Sequence, residues 1–157
     1  MRQRLLVVAV AIVLAAPLLA QKPANPDISG KWKLNLAKSK LEKGRNVQSE
    51  TLFISSTGPK IEMTFTINGT ETKFEYVADG KERVVLEKGY LVQFRKAYWK
   101  KSVFVTESIG RMNEPGKAID GTEIFRIKDR WTLSPDSRVL TDVSEGLEGT
   151  LSVYDKE

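Results

Sequence analysis

The carboxylates are the first side chains to consider for chemistry, because the 157 residues contain no cysteine and no histidine. A Ser-His-Asp triad, a cysteine nucleophile and a zinc site of cysteine or histidine are therefore excluded for this sequence. Glycoside hydrolysis needs only two carboxyl groups. Alternation points Glu62, Glu71 and Glu75 outward, and Glu107 alone shares a face with apolar residues. We therefore predict no catalysis, no cofactor and no metal.

Aromatic side chains recur at alternate positions, which is the pattern of a strand with one apolar face. Together with a flexible methionine they could line a cavity for an apolar ligand. The candidates that alternation points inward are Met63, Phe65, Phe74, Tyr76, Val92, Phe94, Tyr98 and Phe125. The same residues would also suit a core filled with side chains, so the sequence leaves a hollow and a filled interior equally open.

Short strands separated by turn signals must position these residues. Residues 61–67 alternate apolar and polar and run into Asn68-Gly69, which is typical of a type I′ hairpin turn. Residues 70–78 follow as the return strand, and Asp79-Gly80 predicts a second turn before residues 81–88. This pattern predicts a three-stranded meander. Further strands are expected on both sides of it, and only residues 35–44 have a pattern compatible with one or two helical turns.

The strand plan predicts an all-β, antiparallel, up-and-down meander of eight or nine strands. Short links favour pairing between neighbours in sequence, as in a closed barrel, and closure would remove exposed sheet edges. An open, strongly curved half-barrel is the alternative. The longest predicted connection covers residues 110–121, where Pro115, Gly116 and Gly121 interrupt regular structure.

The stretch Ser-Gly-Lys-Trp-Lys-Leu-Asn at residues 29–35, followed by a meander, resembles the lipocalin and fatty-acid-binding-protein group, the calycins. The resemblance implies a lipocalin-like barrel in which Gly30 and Trp32 lie on the first strand and Trp32 packs across the closed end. It also implies that an arginine from a late strand, Arg126 or Arg130, stacks on the Trp32 ring. From the residues themselves, Trp32 is interpreted as a core residue or, alternatively, as a ligand contact.

Residues 1–20 have the three-part pattern of a secretory signal peptide, with a basic start, an apolar run and small residues at its end. We predict cleavage after Ala20, a flexible arm over residues 21–27 and a barrel domain over residues 28–157. The mature protein is then expected in the periplasm or outside the cell, without a stable membrane anchor.

The charge balance argues against nucleic-acid binding. The net charge is +5, and removal of residues 1–20 would take away Arg2 and Arg4 and leave a mixed-charge chain. Residues 94–104 combine aromatic and basic side chains, but Lys100 and Lys101 are interpreted as a solvated hairpin tip and Lys96 as a residue whose ammonium reaches water. Anionic lipid or polysaccharide is the alternative partner of that stretch.

The sequence therefore predicts a monomeric, exported binding protein that holds a small apolar or amphipathic molecule in a barrel lumen. The alternative is a protein-interaction module of the cell envelope, an inhibitor or a structural part, with a filled barrel.

Overall fold

Ten antiparallel strands form one sheet in the computed structural model, which describes residues 25–112, 121–146 and 150–157. The strands are β1 (Gly30–Leu34), β2 (Glu50–Thr57), β3 (Lys60–Ile67), β4 (Thr70–Val77), β5 (Arg83–Lys88), β6 (Leu91–Lys100), β7 (Val103–Met112), β8 (Thr122–Leu133), β9 (Val139–Glu145) and β10 (Thr150–Lys156). The described residues contain no helix, and hence none that is long and apolar enough to cross a membrane.

The sheet is a curved meander that stays open between β4 and β5. Its order is β4-β3-β2-β1-β10-β9-β8-β7-β6-β5. Strands that follow each other in sequence pair with each other, apart from β4 and β5, and β1 also pairs with β10. The all-β meander is confirmed, with ten strands instead of eight or nine. The open half-barrel, expected as the alternative, is the observed form, because β4 and β5 do not pair.

The two predicted tight turns differ in outcome. Asn68 and Gly69 both have positive φ, 49° and 85°, and join β3 to β4 as predicted. The second hairpin is wrong, because the Asp79 carboxylate binds the Lys81 N–H and the Arg83 guanidinium and so holds a wider loop. The Gly80 N–H donates to the Ala97 carbonyl of β6, which ties that loop across the opening.

Residues 35–44, compatible with a short helix in sequence, run instead as turns along β10. The Ser39 hydroxyl donates to the Asn35 carbonyl and accepts the Val153 N–H, while Lys40 and Leu151 exchange both backbone hydrogen bonds. A serine that bonds to backbone groups in this way competes with helix formation.

The main core lies on one face of the sheet, here called the inner face. Its buried members come from both halves of the meander and include Trp32, Leu52, Ile54, Met63, Phe104, Trp131, Leu140 and Tyr154. Trp32 is completely buried, and its indole N–H donates to the Ile28 carbonyl at 3.1 Å. It therefore has the core position that the sequence favoured.

The predicted signal peptide over residues 1–20 and most of the predicted arm over residues 21–27 lie outside the described residues, as do residues 113–120 of the predicted long connection.

Replacement of Trp32 by alanine tests how much the core depends on this ring. We expect Trp32→Ala to lower the free energy of unfolding by about 3–5 kcal/mol, because it leaves a cavity among fully buried neighbours. Phe53→Ala is the control, since Phe53 is 54% exposed on the outer face, and should cost no more than about 1 kcal/mol. Urea unfolding followed by circular dichroism measures both; equal losses would contradict the assignment.

Candidate ligand-binding cavity

A cavity of about 380 Å³ opens on the inner face of the sheet, and we refer to it as the lumen. Its wall combines aromatic and aliphatic side chains with a polar floor. The aromatic members are Phe65, Phe74, Tyr76, Trp131 and Tyr154, and the polar members include Arg45, Glu50, Thr72, Ser108, Asp129, Asp142, Ser144 and Ser152. The volume lies in the range of small-molecule sites.

The aromatic wall is a chain of rings in contact. Phe65 meets Phe74 edge to face at a centroid distance of 5.6 Å and lies 6.2 Å from Trp131, which is tilted by 31° against Tyr154 at 6.2 Å. The pairing of strands explains the wall, because β2, β3 and β4 present alternate residues to the same face as β8 and β10. Tyr76 continues the wall towards β6, and burial raises its pKa to about 12.

Glu50 anchors one side of the floor as a fully paired carboxylate. It is only 2% exposed; its Oε1 accepts the Tyr154 hydroxyl at 2.5 Å and its Oε2 accepts the Arg45 guanidinium at 2.9 Å. A buried charge needs such partners to offset its lost hydration. Burial and then the neighbouring Glu50 charge raise the pKa of the Tyr154 hydroxyl well above its usual range, so it remains a donor.

Asp129 and Asp142 form a second carboxylate pair on the floor. Ser144 and Thr106 donate to Asp129 at 2.6 and 3.2 Å, yet burial raises the Asp129 pKa. Burial, followed by the charge of Asp129, raises the pKa of Asp142 well above its ordinary value. Arg45 already pairs with Glu50, so no guanidinium or ammonium forms an ion pair with Asp129 or Asp142 among the described residues.

Two buried polar atoms in the lumen wall have no hydrogen-bond partner, Asp142 Oδ1 and Trp131 Nε1. The two residues lie directly opposite each other on β8 and β9. Since buried polar groups in folded proteins are nearly always satisfied, an acceptor and a donor without partners give this part of the floor unused capacity for hydrogen bonds.

The predicted lumen residues are divided between the two faces. Phe65, Phe74 and Tyr76 line the lumen, while Trp32 and Met63 belong to the core beside it. Phe125 lies on the inner face next to Gly110, outside the lumen wall. The structure gives the positions of these side chains, and contact between any of them and a ligand stays a prediction.

The prediction that Val92, Phe94 and Tyr98 point inward is wrong. Ala97 of β6 is in the main core and Trp99 packs against it, so the alternate residues face outward. Val92 and Phe94 form a separate buried cluster with Ile109, and the Tyr98 hydroxyl donates to Glu107. A strand with apolar residues on both faces does not reveal which face is inside.

Arg126 and Arg130, the two arginines expected as candidates to stack on Trp32, lie on the outer face instead. Arg126 forms ion pairs with Glu107 and Glu123, and Arg130 pairs with Glu145. Although burial alone would raise it, hydrogen bonds from Tyr98 and Arg126 lower the pKa of Glu107. The cation over the Trp32 ring is Lys156, whose Nζ is 5.2 Å from the ring centroid. The ammonium comes from the strand next to β1, so a late-strand arginine is not needed there.

The polar floor is what the sequence reasoning missed, since it found no pair of buried carboxylates. The signal was present in β8, where Ile127, Asp129 and Trp131 alternate on one face. Asp142 could be placed only through its register with Trp131. Among the residues that the structure describes, no group of three or more histidine, cysteine, aspartate or glutamate side chains is arranged to hold a metal ion.

Comparison with solved structures shows that several proteins share the fold of this antiparallel sheet. A fatty acid transporter, REP1-NXSQ, has a TM-score of 0.58 and 10% identity over 83% of this chain and 96% of its own. Fatty-acid-binding protein 1 of Echinococcus granulosus has a TM-score of 0.58 and 14% identity, covering 82% and 96%. A mutant of the fluorescent protein UnaG has a TM-score of 0.56 and 14% identity, over 82% of this chain and 95% of its own. No family model matches the sequence, and no curated protein sequence matches it significantly.

Removal of the Asp142 charge tests the raised pKa. In the wild type, the folded state holds this proton more tightly than the unfolded chain, whose aspartate titrates near about pH 4. Stability from this group is therefore lost as the pH rises from that value through the raised pKa. We expect Asp142→Asn to lose less stability than the wild type between acid and neutral pH, as measured by urea unfolding.

Asp136→Asn is the matched control with the opposite sign. Hydrogen bonds from Ser134 and from the Arg138 N–H lower the pKa of the exposed Asp136 carboxyl, so this variant should be less stable than the wild type at neutral pH and match it in acid. Parallel pH profiles for Asp142→Asn and the wild type would contradict the assignment.

Proposed function

We propose that this protein is a small, exported, lipocalin-like binding protein that holds one amphipathic molecule in the lumen and releases it unchanged. The observation that carries the proposal is the lumen itself, a cavity of about 380 Å³ with a wall of aromatic rings and two unpartnered polar atoms on its floor. Apolar walls with a few polar groups at defined positions are the usual composition of small-molecule sites. The names of the similar structures, two of them fatty-acid transport or binding proteins, support binding as the class of function.

The opening between β4 and β5 offers a way into the lumen. A cleft of about 410 Å³ lies there, and we refer to it as the seam. Tyr76 lines both the seam and the lumen, so the two spaces are neighbours. The rest of the seam is largely basic, with Lys60, Lys73, Arg83, Arg95 and Lys96 in its wall.

A filled lumen should abolish binding without harm to the fold. Ser108 lines the lumen, and Ser108→Phe would occupy part of the space. Thr132→Phe is the matched control, because Thr132 is exposed next to the buried Trp131. With Nile red as an uncharged fluorescent probe, we expect Ser108→Phe to weaken binding about tenfold or more and Thr132→Phe to leave it unchanged. Equal binding by the two variants, or no binding by the wild type, would overturn the proposal.

The proposal also covers export and the absence of turnover. Expression of the full chain in a Gram-negative host should yield a periplasmic or secreted protein. Its intact mass should be that of a chain that begins at Gln21, because a secretory leader is cleaved. Val8→Arg combined with Val13→Arg interrupts the apolar run and should leave the full-length chain in the cytoplasm. A wild-type protein that keeps residues 1–20 would contradict export.

A bound molecule recovered with altered mass would contradict binding without turnover.

A further inference from the structure

We propose that the lumen selects amphiphiles whose polar end is an ammonium group, and that it disfavours fatty acids. This inference rests on the proposed function and adds the chemical class of the ligand. It starts from the charged side chains that line the lumen, which are four carboxylates, Glu42, Glu50, Asp129 and Asp142, and one guanidinium, Arg45.

The four carboxylates and one guanidinium do not cancel. Arg45 binds Glu50 at 2.9 Å, and Tyr154 occupies the other oxygen of the same carboxylate. Asp129 and Asp142 form no ion pair among the described residues: Ser144 and Thr106 donate to Asp129, and the charge of Arg45 acts on Asp142 only from beyond ion-pair distance. Two buried carboxylates without an ion pair of their own are stabilised either by a proton or by a positive group beside them.

The second observation is independent of the charge count. Asp142 Oδ1 is a buried acceptor without a partner, and an ammonium group brings three donors and no acceptor. The neighbouring Trp131 is tilted by 31° against Tyr154 at 6.2 Å, and both aromatic side chains line the lumen beside this carboxylate, where aromatic rings can add cation–π contact with a cation. Carboxylates combined with aromatic rings are the chemistry that recognises an alkylammonium ion.

The same geometry disfavours a fatty acid with its head on the floor. Its carboxylate would lie beside Asp129 and Asp142, where it would repel their ionised forms and could bind only while they keep their protons. The guanidinium that could receive it there, that of Arg45, is already paired. Arg95 lies on the seam side, 4.6 Å above the Phe74 ring, so a fatty acid would have to bind with its head at the seam.

The pH dependence of binding follows from the groups around Asp142. Those that face it are Asp129 on β8, Glu50 on β2 and Arg45 in the segment before β2, together with the Arg130 backbone N–H. Burial and Asp129 favour the protonated form of Asp142 in the free protein, whereas a bound ammonium favours the ionised form. Binding of the ammonium therefore releases protons, and affinity should rise as the pH rises through the raised pKa of Asp142.

The test compares three ligands with the same alkyl chain and different heads, decylammonium, decanol and decanoate, by displacement of Nile red from the wild-type protein near neutral pH. We expect decylammonium to bind about tenfold or more tightly than decanoate, with decanol between them. Asp142→Asn and Asp129→Asn should each lower decylammonium affinity by a larger factor than decanol affinity, and circular dichroism shows whether the variants are folded. Glu145→Gln is the matched control, because Glu145 pairs with Arg130 on the outer face and its loss should change none of the three affinities.

Each other result has one meaning. Tighter binding of decanoate than decylammonium, with decanol bound, would overturn this inference and leave the proposed function in place. A preference for decylammonium that persists in both aspartate variants, or affinity that falls with rising pH, would also overturn it. Failure of all three ligands and of Nile red to bind would overturn the proposed function and the inference together.

Discussion

The rest of the structure depends on the double pairing of β1. This strand of five residues pairs with β2 on one side and with β10 on the other, and so joins the two halves of the meander into one curved sheet. Without the pairing of β1 with β10, Trp32 would lose its packing contacts with residues of the C-terminal half. The hydrogen bond from Tyr154 of β10 to Glu50 of β2 spans β1 on the inner face and would be lost with it.

The floor of the lumen is built from this junction outward. Core residues from both halves of the meander fill part of the inner face, and the space beside them is lined by β3 and β4 on one side and on the other by β8, β9 and β10, which contribute most of the polar side chains. A filled interior would need apolar side chains at those positions. The sequence instead provides Asp129, Asp142, Ser144 and Ser152, and small or polar side chains leave room where aromatic residues would close the space.

Much of the fold could be predicted from sequence, because alternation and the Asn68-Gly69 turn are local signals. The pairing of β1 with β10 and the failure of β4 to pair with β5 could not, since they depend on contacts between distant residues. For the site, alternation suffices in β3 and β4, whose outer faces are polar. Alternation fails in β6, where Val92 and Phe94 on the outer face are as apolar as Ala97 and Trp99 on the inner face. It also misses Asp129 and Asp142, because a charged residue is not expected on the inner face of a sheet.

The open seam leaves two strand edges without partners, and such edges are templates on which another chain can add a strand. Along β5, Val84, Val85 and Leu86 are all more than 40% exposed, which makes that edge attractive to a second molecule. Charged side chains from β3, β4, β5 and β6 line the seam, and Lys60, Lys73 and Arg83 among them form ion pairs with nearby carboxylates. Two copies that approach edge to edge would have to remove water from these charged groups. Charged side chains at an open edge therefore disfavour the addition of a further strand to this incomplete barrel.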